Sequence, residues 1–422
     1  MDTPRRLTWP AIRLVAILAA VLGVAAIDAG AAPLTLAEAL RLAEQNAPAL
    51  AARNAQLDAA RQAALPAGEL PDPKLSLGVD NLPISGADRF SLSRDFMTMQ
   101  RVGVMQEVPN ADKRRARVDA AEANIARSEA ERRIELLNVR RETALAWIRG
   151  LTVERKLAAF DQLERENQLL ADAVRARIAG GRGSPADAVM PRQEAAMLAE
   201  RRDELDAQRQ QAGAALQRWI GAAHGEAPAG DWPSWPVSRE ALTAHLHHHP
   251  ELAAFGPMGR LADAEVREAE AGKAPDWGVE LAYQKRGAQF GDMVSLQFTF
   301  DLPVFGSRRQ DPRIAAKRAE RLRLDGERES LLRAHAEMLE ADLAEHERLD
   351  RAARRQQATL LPLLREKIEL TLAGYQAGRT DLAEVIAARR ELIDAQLKLI
   401  ELEGSRGLVA ARLHFAYGEN GQ

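Results

Sequence analysis

Val294-Ser295-Leu296-Gln297-Phe298-Thr299-Phe300-Asp301-Leu302 alternates apolar and polar side chains without a slip. A period of two puts the Val, Leu and Phe residues on one face of an extended strand and the polar residues on the other. Trp277, Val279, Leu281 and Tyr283 alternate in the same way with Gly278, Glu280, Ala282 and Gln284. Earlier in the chain Leu75, Leu77 and Val79 alternate with Ser76, Gly78 and Asp80, and Val102 and Val104 do so with Gly103 and Met105. Strands are therefore expected over about 74–82, 99–108, 276–285 and 292–302, the length of a tilted membrane strand. A half-buried soluble hairpin would alternate likewise, and the aromatic residues decide between the two. Of 18 Phe, Trp and Tyr residues, eight (Phe90, Phe96, Trp277, Tyr283, Phe290, Phe298, Phe300 and Phe305) fall in the windows 75–109 and 277–305. Aromatic girdles flank the apolar band of membrane barrels, so Val294, Leu296, Phe298 and Phe300 are expected to face lipid.

Outside these windows the sequence is helical, and it is written twice. Glu38-Ala39-Leu40 and Pro48 return as Glu240-Ala241-Leu242 and Pro250. Gln106-Glu107-Val108-Pro109 returns as Phe300-Asp301-Leu302-Pro303, and Leu216-Gln217-Arg218-Trp219-Ile220-Gly221 as Leu413-His414-Phe415-Ala416-Tyr417-Gly418. Matches in one order indicate a unit of roughly 195 residues in tandem, over 32–230 and 231–422. Within each unit the order is helix, strand, strand, helix. Residues 35–65 read as one helix opened by Thr35 and Glu38. Residues 112–179 hold no proline and would span about 100 Å as one helix. The turn Gly180-Gly181-Arg182-Gly183 then leads to the N-cap Ser184 and a helix to about 220, with a kink expected at Pro191. In the second unit a helix over 310–376 is expected to break or bend at Pro362. Ala377-Gly378-Arg379 then leads to Thr380 as N-cap and a helix to Tyr417. There Val385-Ile386, Leu392-Ile393 and Leu399-Ile400 recur every seven residues, a coiled-coil seam. Each unit thus ends in a long antiparallel hairpin, and Trp232-Pro233-Ser234-Trp235-Pro236 reads as the packed linker between units.

The N-terminus reads as an address. Arg5, Arg6 and Arg13 precede the apolar run Leu14 to Ile27, followed by small residues. This pattern predicts a secretory signal peptide over residues 1–31. The apolar run falls short of the roughly 20 residues that span a bilayer. Lys and Arg number 58 against 61 Asp and Glu, so no excess of positive charge recommends a nucleic-acid partner. The absence of cysteine removes disulfides, thiolate metal sites, cysteine nucleophiles and lipid attachment to an N-terminal cysteine. No nucleophile elbow, His-Glu metal motif or phosphate-cradling glycine loop occurs, which argues against an enzyme, and no cofactor is implied.

Four strands cannot close a barrel, and open edges are not tolerated in lipid, so a membrane reading requires oligomerisation. Three chains would supply twelve strands, an even number within the range of such barrels. Together with the stretch Tyr375-Gln376-Ala377-Gly378-Arg379-Thr380-Asp381-Leu382-Ala383-Glu384-Val385-Ile386, followed by Leu392-Ile393-Asp394-Ala395-Gln396, the chain resembles the TolC-type outer-membrane efflux channels over residues 34–418. Gln106-Glu107-Val108-Pro109-Asn110-Ala111-Asp112-Lys113-Arg114, with Pro71-Asp72-Pro73-Lys74-Leu75, is similar to the heavy-metal branch, although Asp112 stands where that branch has Gly. The resemblance implies a homotrimer in the outer membrane of a Gram-negative bacterium; the lipidated cysteine found in many relatives is missing here, so the chain is expected to be anchored by the barrel alone and not lipidated. A twelve-stranded membrane barrel would continue into a helical periplasmic barrel that receives cargo, heavy-metal cations first of all, from a periplasmic adaptor and an inner-membrane resistance-nodulation-division pump. Drugs or a secreted polypeptide are alternative cargoes, and a soluble periplasmic coiled-coil scaffold is the alternative from another class.

On this reading the adaptor docks on the hairpin tips, Gly180, Gly181, Arg182, Gly183 and Ser184 in one and Gly378, Arg379 and Thr380 in the other. Arg182 and Arg379 are candidates for holding the tips closed. Asp187, Asp381 and Glu384 are candidates for a cation-attracting ring, although acidic residues are favourable at any helix start. His245, His247, His248 and His249 form a tract with metal-binding composition. Its place just before Pro250, where the first unit has Gln45-Asn46-Ala47-Pro48, favours an exposed helix end instead.

Overall fold

The computed structural model describes residues 34–181, 183–222 and 226–418. The signal peptide expected over 1–31 and Arg182 lie outside the described residues. The described residues are 71% helical, with one small sheet among them.

The stretch expected as one helix over 35–65 is two, α1 (Leu36–Asn46) and α2 (Pro48–Ala64). The residue before a proline is driven out of the helical region, and Ala47 accordingly sits at φ −67°, ψ 114°. Strands β1 (Lys74–Asp80) and β2 (Met99–Val108) follow. Helix α3 (Ala111–Ala179) then runs unbroken for 69 residues, about 100 Å. A 3-10 turn (Pro185–Ala188) leads into α4 (Val189–Ile220). Pro191 does not kink this helix, because it falls in the first turn, where a backbone N–H would have no intrahelical partner. Its carbonyl instead accepts from Asn167 Nδ2 at 3.0 Å.

The second half opens with short pieces: α5 (Arg239–His245), a 3-10 turn (Leu246–His248), α6 (Pro250–Ala253) and α7 (Phe255–Ala271). Strands β3 (Trp277–Lys285) and β4 (Met293–Phe300) come next. They lead to α8 (Gln310–Arg355), a π-helical turn (Gln356–Leu360), α9 (Leu361–Gln376) and α10 (Leu382–Tyr417). The disturbance expected at Pro362 thus takes the form of a wider turn just upstream, since proline offers no N–H to the carbonyl four residues back.

The apolar core is strung out along the helices in separate clusters. The largest gathers Trp147, Ile148 and Leu151 of α3, Leu216 and Ile220 of α4, and Phe415 of α10 around α1. Trp147 is 2% exposed, and its indole N–H donates to the Leu34 carbonyl at 2.8 Å. Trp232 and Trp235 of the linker pack against this cluster. Helices α3 and α10 approach so closely that a Cβ on Gly404 would lie 2.3 Å from Thr152 Oγ1. Small residues are therefore required along that contact.

The strands lie in the order β1-β2-β3-β4, every pair antiparallel. Because α3 leaves β2 directly and ends at a tip, sheet and tip stand a long helix apart. No described helix is long and apolar enough to cross a membrane.

Candidate functional site

Register turns the alternation of single strands into a continuous surface. Leu75 is opposite Val104, Val104 opposite Leu281 and Leu281 opposite Leu296, so one apolar row crosses all four strands. Leu77, Val102, Tyr283 and Val294 form the next row, and Val279–Phe298 and Trp277–Phe300 extend it on β3 and β4. These side chains are exposed apart from the half-buried Val279, with Leu296 63% and Phe298 56% accessible. The opposite face carries Ser76, Arg101, Glu280, Gln284 and Ser295, and Arg101 Nη2 pairs with Glu280 Oε1 at 2.7 Å. In the single chain β1 and β4 each keep one edge unpaired within this four-stranded sheet, a row of backbone donors and acceptors that demands a partner.

Asp276 fixes the sheet to the helices. Its Oδ1 accepts from the Asn110 amide at 2.8 Å and from Asn110 Nδ2 at 3.0 Å, and its Oδ2 meets Lys113 Nζ at 2.6 Å. Burial alone would push this carboxyl up, but the hydrogen bonds from Lys113 and Asn110 outweigh it and hold the pKa below the usual range.

At the far end both hairpin turns close by the same device. Gly181 has φ +71° and Gly378 φ +72°, the left-handed region that favours glycine. The Gly181 N–H reaches the Ile178 carbonyl at 3.0 Å, and the Gly378 and Arg379 N–H groups reach the Tyr375 and Gly374 carbonyls at 3.1 and 2.8 Å. The second set is a complete Schellman closure. Ser184 caps the following turn and exchanges bonds with Asp187, whose Oδ2 accepts from the Ser184 amide at 2.9 Å. In the second tip the N-cap is Asp381, not Thr380, because its Oδ1 accepts from the Glu384 amide at 2.9 Å. Thr380 instead donates its hydroxyl to the Thr371 carbonyl at 3.1 Å, tying the turn back to α9. Asp187 and Asp381 therefore each commit one oxygen to a helix start, while Arg379 and Glu384 are exposed. The tips pack on one another through Leu170, Val174 and Leu382, with Ile178, Met190, Tyr375 and Ile386. Arg177 lies 4.1 Å over the Tyr375 ring.

The histidine tract divides. His247 and His248 are exposed and His245 half-buried. His249, expected at an exposed helix end, is 7% exposed, because α6 turns it inward against α8. Its ring lies 3.8 Å from that of His335 and 5.4 Å from Tyr417, centroid to centroid. Burial and the neighbouring His335 push its pKa down to about 4, so the ring is neutral at physiological pH. Glu251 completes the group, with Oε2 3.1 Å from His335 Nε2. Neither His335 nor Glu251 was singled out from sequence, although His335 sits at helical spacing among Leu332, Leu339 and Leu343, a pattern that marks a buried ring.

Residues 39–222 and 242–419 match the family model described as outer membrane efflux protein. The chain belongs to the outer membrane efflux protein family. Comparison with curated proteins returns no match. Among solved structures, VceC, an outer membrane protein of Vibrio cholerae, is 18% identical at a TM-score of 0.73, covering 91% of this chain and 96% of VceC. CusC is 16% identical at a TM-score of 0.76, covering 91% and 92%. A membrane protein of Pseudomonas aeruginosa is 18% identical at a TM-score of 0.78, covering 91% and 90%. At these identities the likeness speaks for the fold. For this efflux protein it means that a mainly helical chain carrying a small sheet is an architecture found in other outer-membrane channels. CusC is described by its transmembrane channel formation, and the family by efflux.

Proposed function

We propose that this efflux protein is the passive outer-membrane exit duct of a tripartite efflux system, working as a homotrimer whose barrel is completed by twelve strands. The observation that carries the reading is the four-stranded sheet, with an exposed apolar face across every strand and an unpaired edge on each side. Lipid satisfies the face, and only neighbouring chains satisfy the edges. The unit at 32–230, repeated at 231–422, supplies two strands and one long hairpin per copy, and the leader over 1–31 delivers the chain to the periplasm. Without a cysteine for lipid attachment, the barrel is its anchor.

A periplasmic adaptor docks on the tips at Gly180–Ser184 and Gly378–Thr380, and a proton-driven resistance-nodulation-division pump in the inner membrane supplies the energy. Heavy-metal cations are the proposed cargo, a reading supported by the stretch Gln106–Arg114 and by Pro71–Leu75. Crosslinking in intact cells, followed by detergent pull-down and mass spectrometry, tests the whole assignment. A heavy-metal pump among the partners is the expected result. A drug pump would retain the duct and overturn the cargo. Recovery in the soluble periplasm with no inner-membrane partner would overturn the duct itself.

Asp187, Asp381 and Glu384 are proposed to ring the tunnel entrance, with Arg182 and Arg379 pairing with carboxylates to hold it shut. Asp381→Ala combined with Glu384→Ala removes up to six negative charges per trimer. The expected result in planar bilayers is a clear fall in single-channel cation preference, and unchanged selectivity would reduce these acids to helix caps.

A further inference from the structure

We propose that His249, Glu251 and His335 bind one divalent transition-metal cation of the zinc or copper class, where the short helices of the second half meet the long-helix body. Two imidazoles and one carboxylate are the donor set that such borderline cations prefer. One donor atom from each residue lies within 4.8 Å of the other two. The separation of 3.1 Å between His335 Nε2 and Glu251 Oε2 is near the edge of a ligand tetrahedron with metal–ligand bonds of about 2.0–2.1 Å, roughly 3.3 Å.

Proton placement points the same way. The Tyr417 hydroxyl lies 3.3 Å from the His335 carbonyl, to which it donates, and 3.1 Å from His335 Nδ1. In the tautomer in which that carbonyl takes the phenol proton, the phenol oxygen accepts from Nδ1–H and Nε2 turns a lone pair towards the Glu251 carboxylate; in the other, Nε2–H donates to Glu251, and an arriving metal ion displaces that proton. A metal ion would take the place of the proton shared across this 3.1 Å pair. A proton would satisfy that pair alone, but the stacked His249 brings a third donor that a proton has no use for. His249 Nδ1 accepts from the Glu251 amide at 3.2 Å, so this nitrogen is the unprotonated one, and a cation would take over its lone pair. Tyr417 then acts as the outer partner that fixes the His335 ring, as hydrogen-bond partners of metal-bound histidines generally do.

Access is available. His249 and Glu251 line an open cleft of about 230 Å³ together with Glu135, Asn138 and Arg141, room for an entering cation and a water as fourth ligand. Arg141 opposes the cation, and Glu135 on the same wall offsets it. A bound ion would join α6 to α8 and, through Tyr417, to the end of α10. The site does not depend on the cargo of the duct, and neither assignment falls with the other.

The test uses the full chain purified in detergent, stripped with EDTA and titrated at pH 7.5 with ZnCl2 and with CuCl2 by calorimetry, with elemental analysis after dialysis. One equivalent per chain is expected. Glu251→Gln and His335→Gln should weaken binding at least tenfold, and Tyr417→Phe by about 10–100-fold, with the helical circular-dichroism signal retained. His247→Ala with His248→Ala should leave it unchanged. Absence of binding by the folded wild type would overturn the site. Binding that survives Glu251→Gln but disappears with the exposed pair would overturn it equally, placing the metal on the surface tract. Glu251 is half-buried, so its variant keeps the test decisive if His335→Gln does not fold.

Discussion

Leu296→Arg is expected to abolish the proposed assembled membrane form of the protein, whereas Gln297→Arg, one residue along, is expected to leave it intact. Leu296 lies in the middle of β4 and at the end of the row Leu75–Val104–Leu281–Leu296, 63% exposed in the single chain. An arginine at the midplane of a lipid-facing strand costs about 2–4 kcal/mol, and three copies in the proposed trimer raise this to about 6–12 kcal/mol. Gln297 is opposite Glu280 on the other face, where an added arginine meets a carboxylate. Unheated gel electrophoresis of outer-membrane fractions reads both outcomes: the trimer band vanishes for the first variant and persists for the second. Equal behaviour of the two would mean that the apolar face does not meet lipid.

Trp147→Ala is expected to cost about 3–5 kcal/mol per chain, the range for removing a large buried aromatic. The cavity would open where α1, α3, α4 and α10 meet. Trp147→Phe separates the contributions, because it keeps most of the volume and gives up only the bond to the Leu34 carbonyl, a loss of about 1 kcal/mol. That carbonyl retains the Ala229 amide at 3.2 Å as a partner. Thermal unfolding in detergent, followed by circular dichroism, should rank wild type, Phe and Ala in that order. A similar midpoint for all three would show that the cluster contributes little to holding the hairpins together.

Much of this architecture is legible in the sequence because periodicity and breaker residues speak locally. The mainly helical chain with a small sheet follows from runs of period 3.6 interrupted by runs of period two, and the family follows from the turn Ala377-Gly378-Arg379 and its flanks. What escapes is what depends on neighbours. Thr380 and Asp381 are both good capping residues, and only the geometry of the turn gives the cap to Asp381 and sends Thr380 back to Thr371. The break at Ala47-Pro48 was open to reading, since proline constrains the residue before it, yet the apolar spacing on either side masked it. His249 looks like part of an exposed tract because three of its neighbours are histidines. Its burial depends on His335, 86 positions away in the chain, and no local pattern joins the two.

The π-helical turn at Gln356–Leu360 gives the two hairpins unequal stiffness. Helix α3 is a single uninterrupted strut, whereas the corresponding arm of the second half has a wider turn in it, braced to α10 by Gln356 Nε2 on the Ala395 carbonyl at 2.8 Å. From Leu360 to Gly378 the arm is about 27 Å long at helical rise. A rotation of about 5° at the turn would swing its tip by roughly 2 Å, without breaking a helical bond elsewhere. The second arm therefore carries a built-in place to bend that the first arm, α3, lacks.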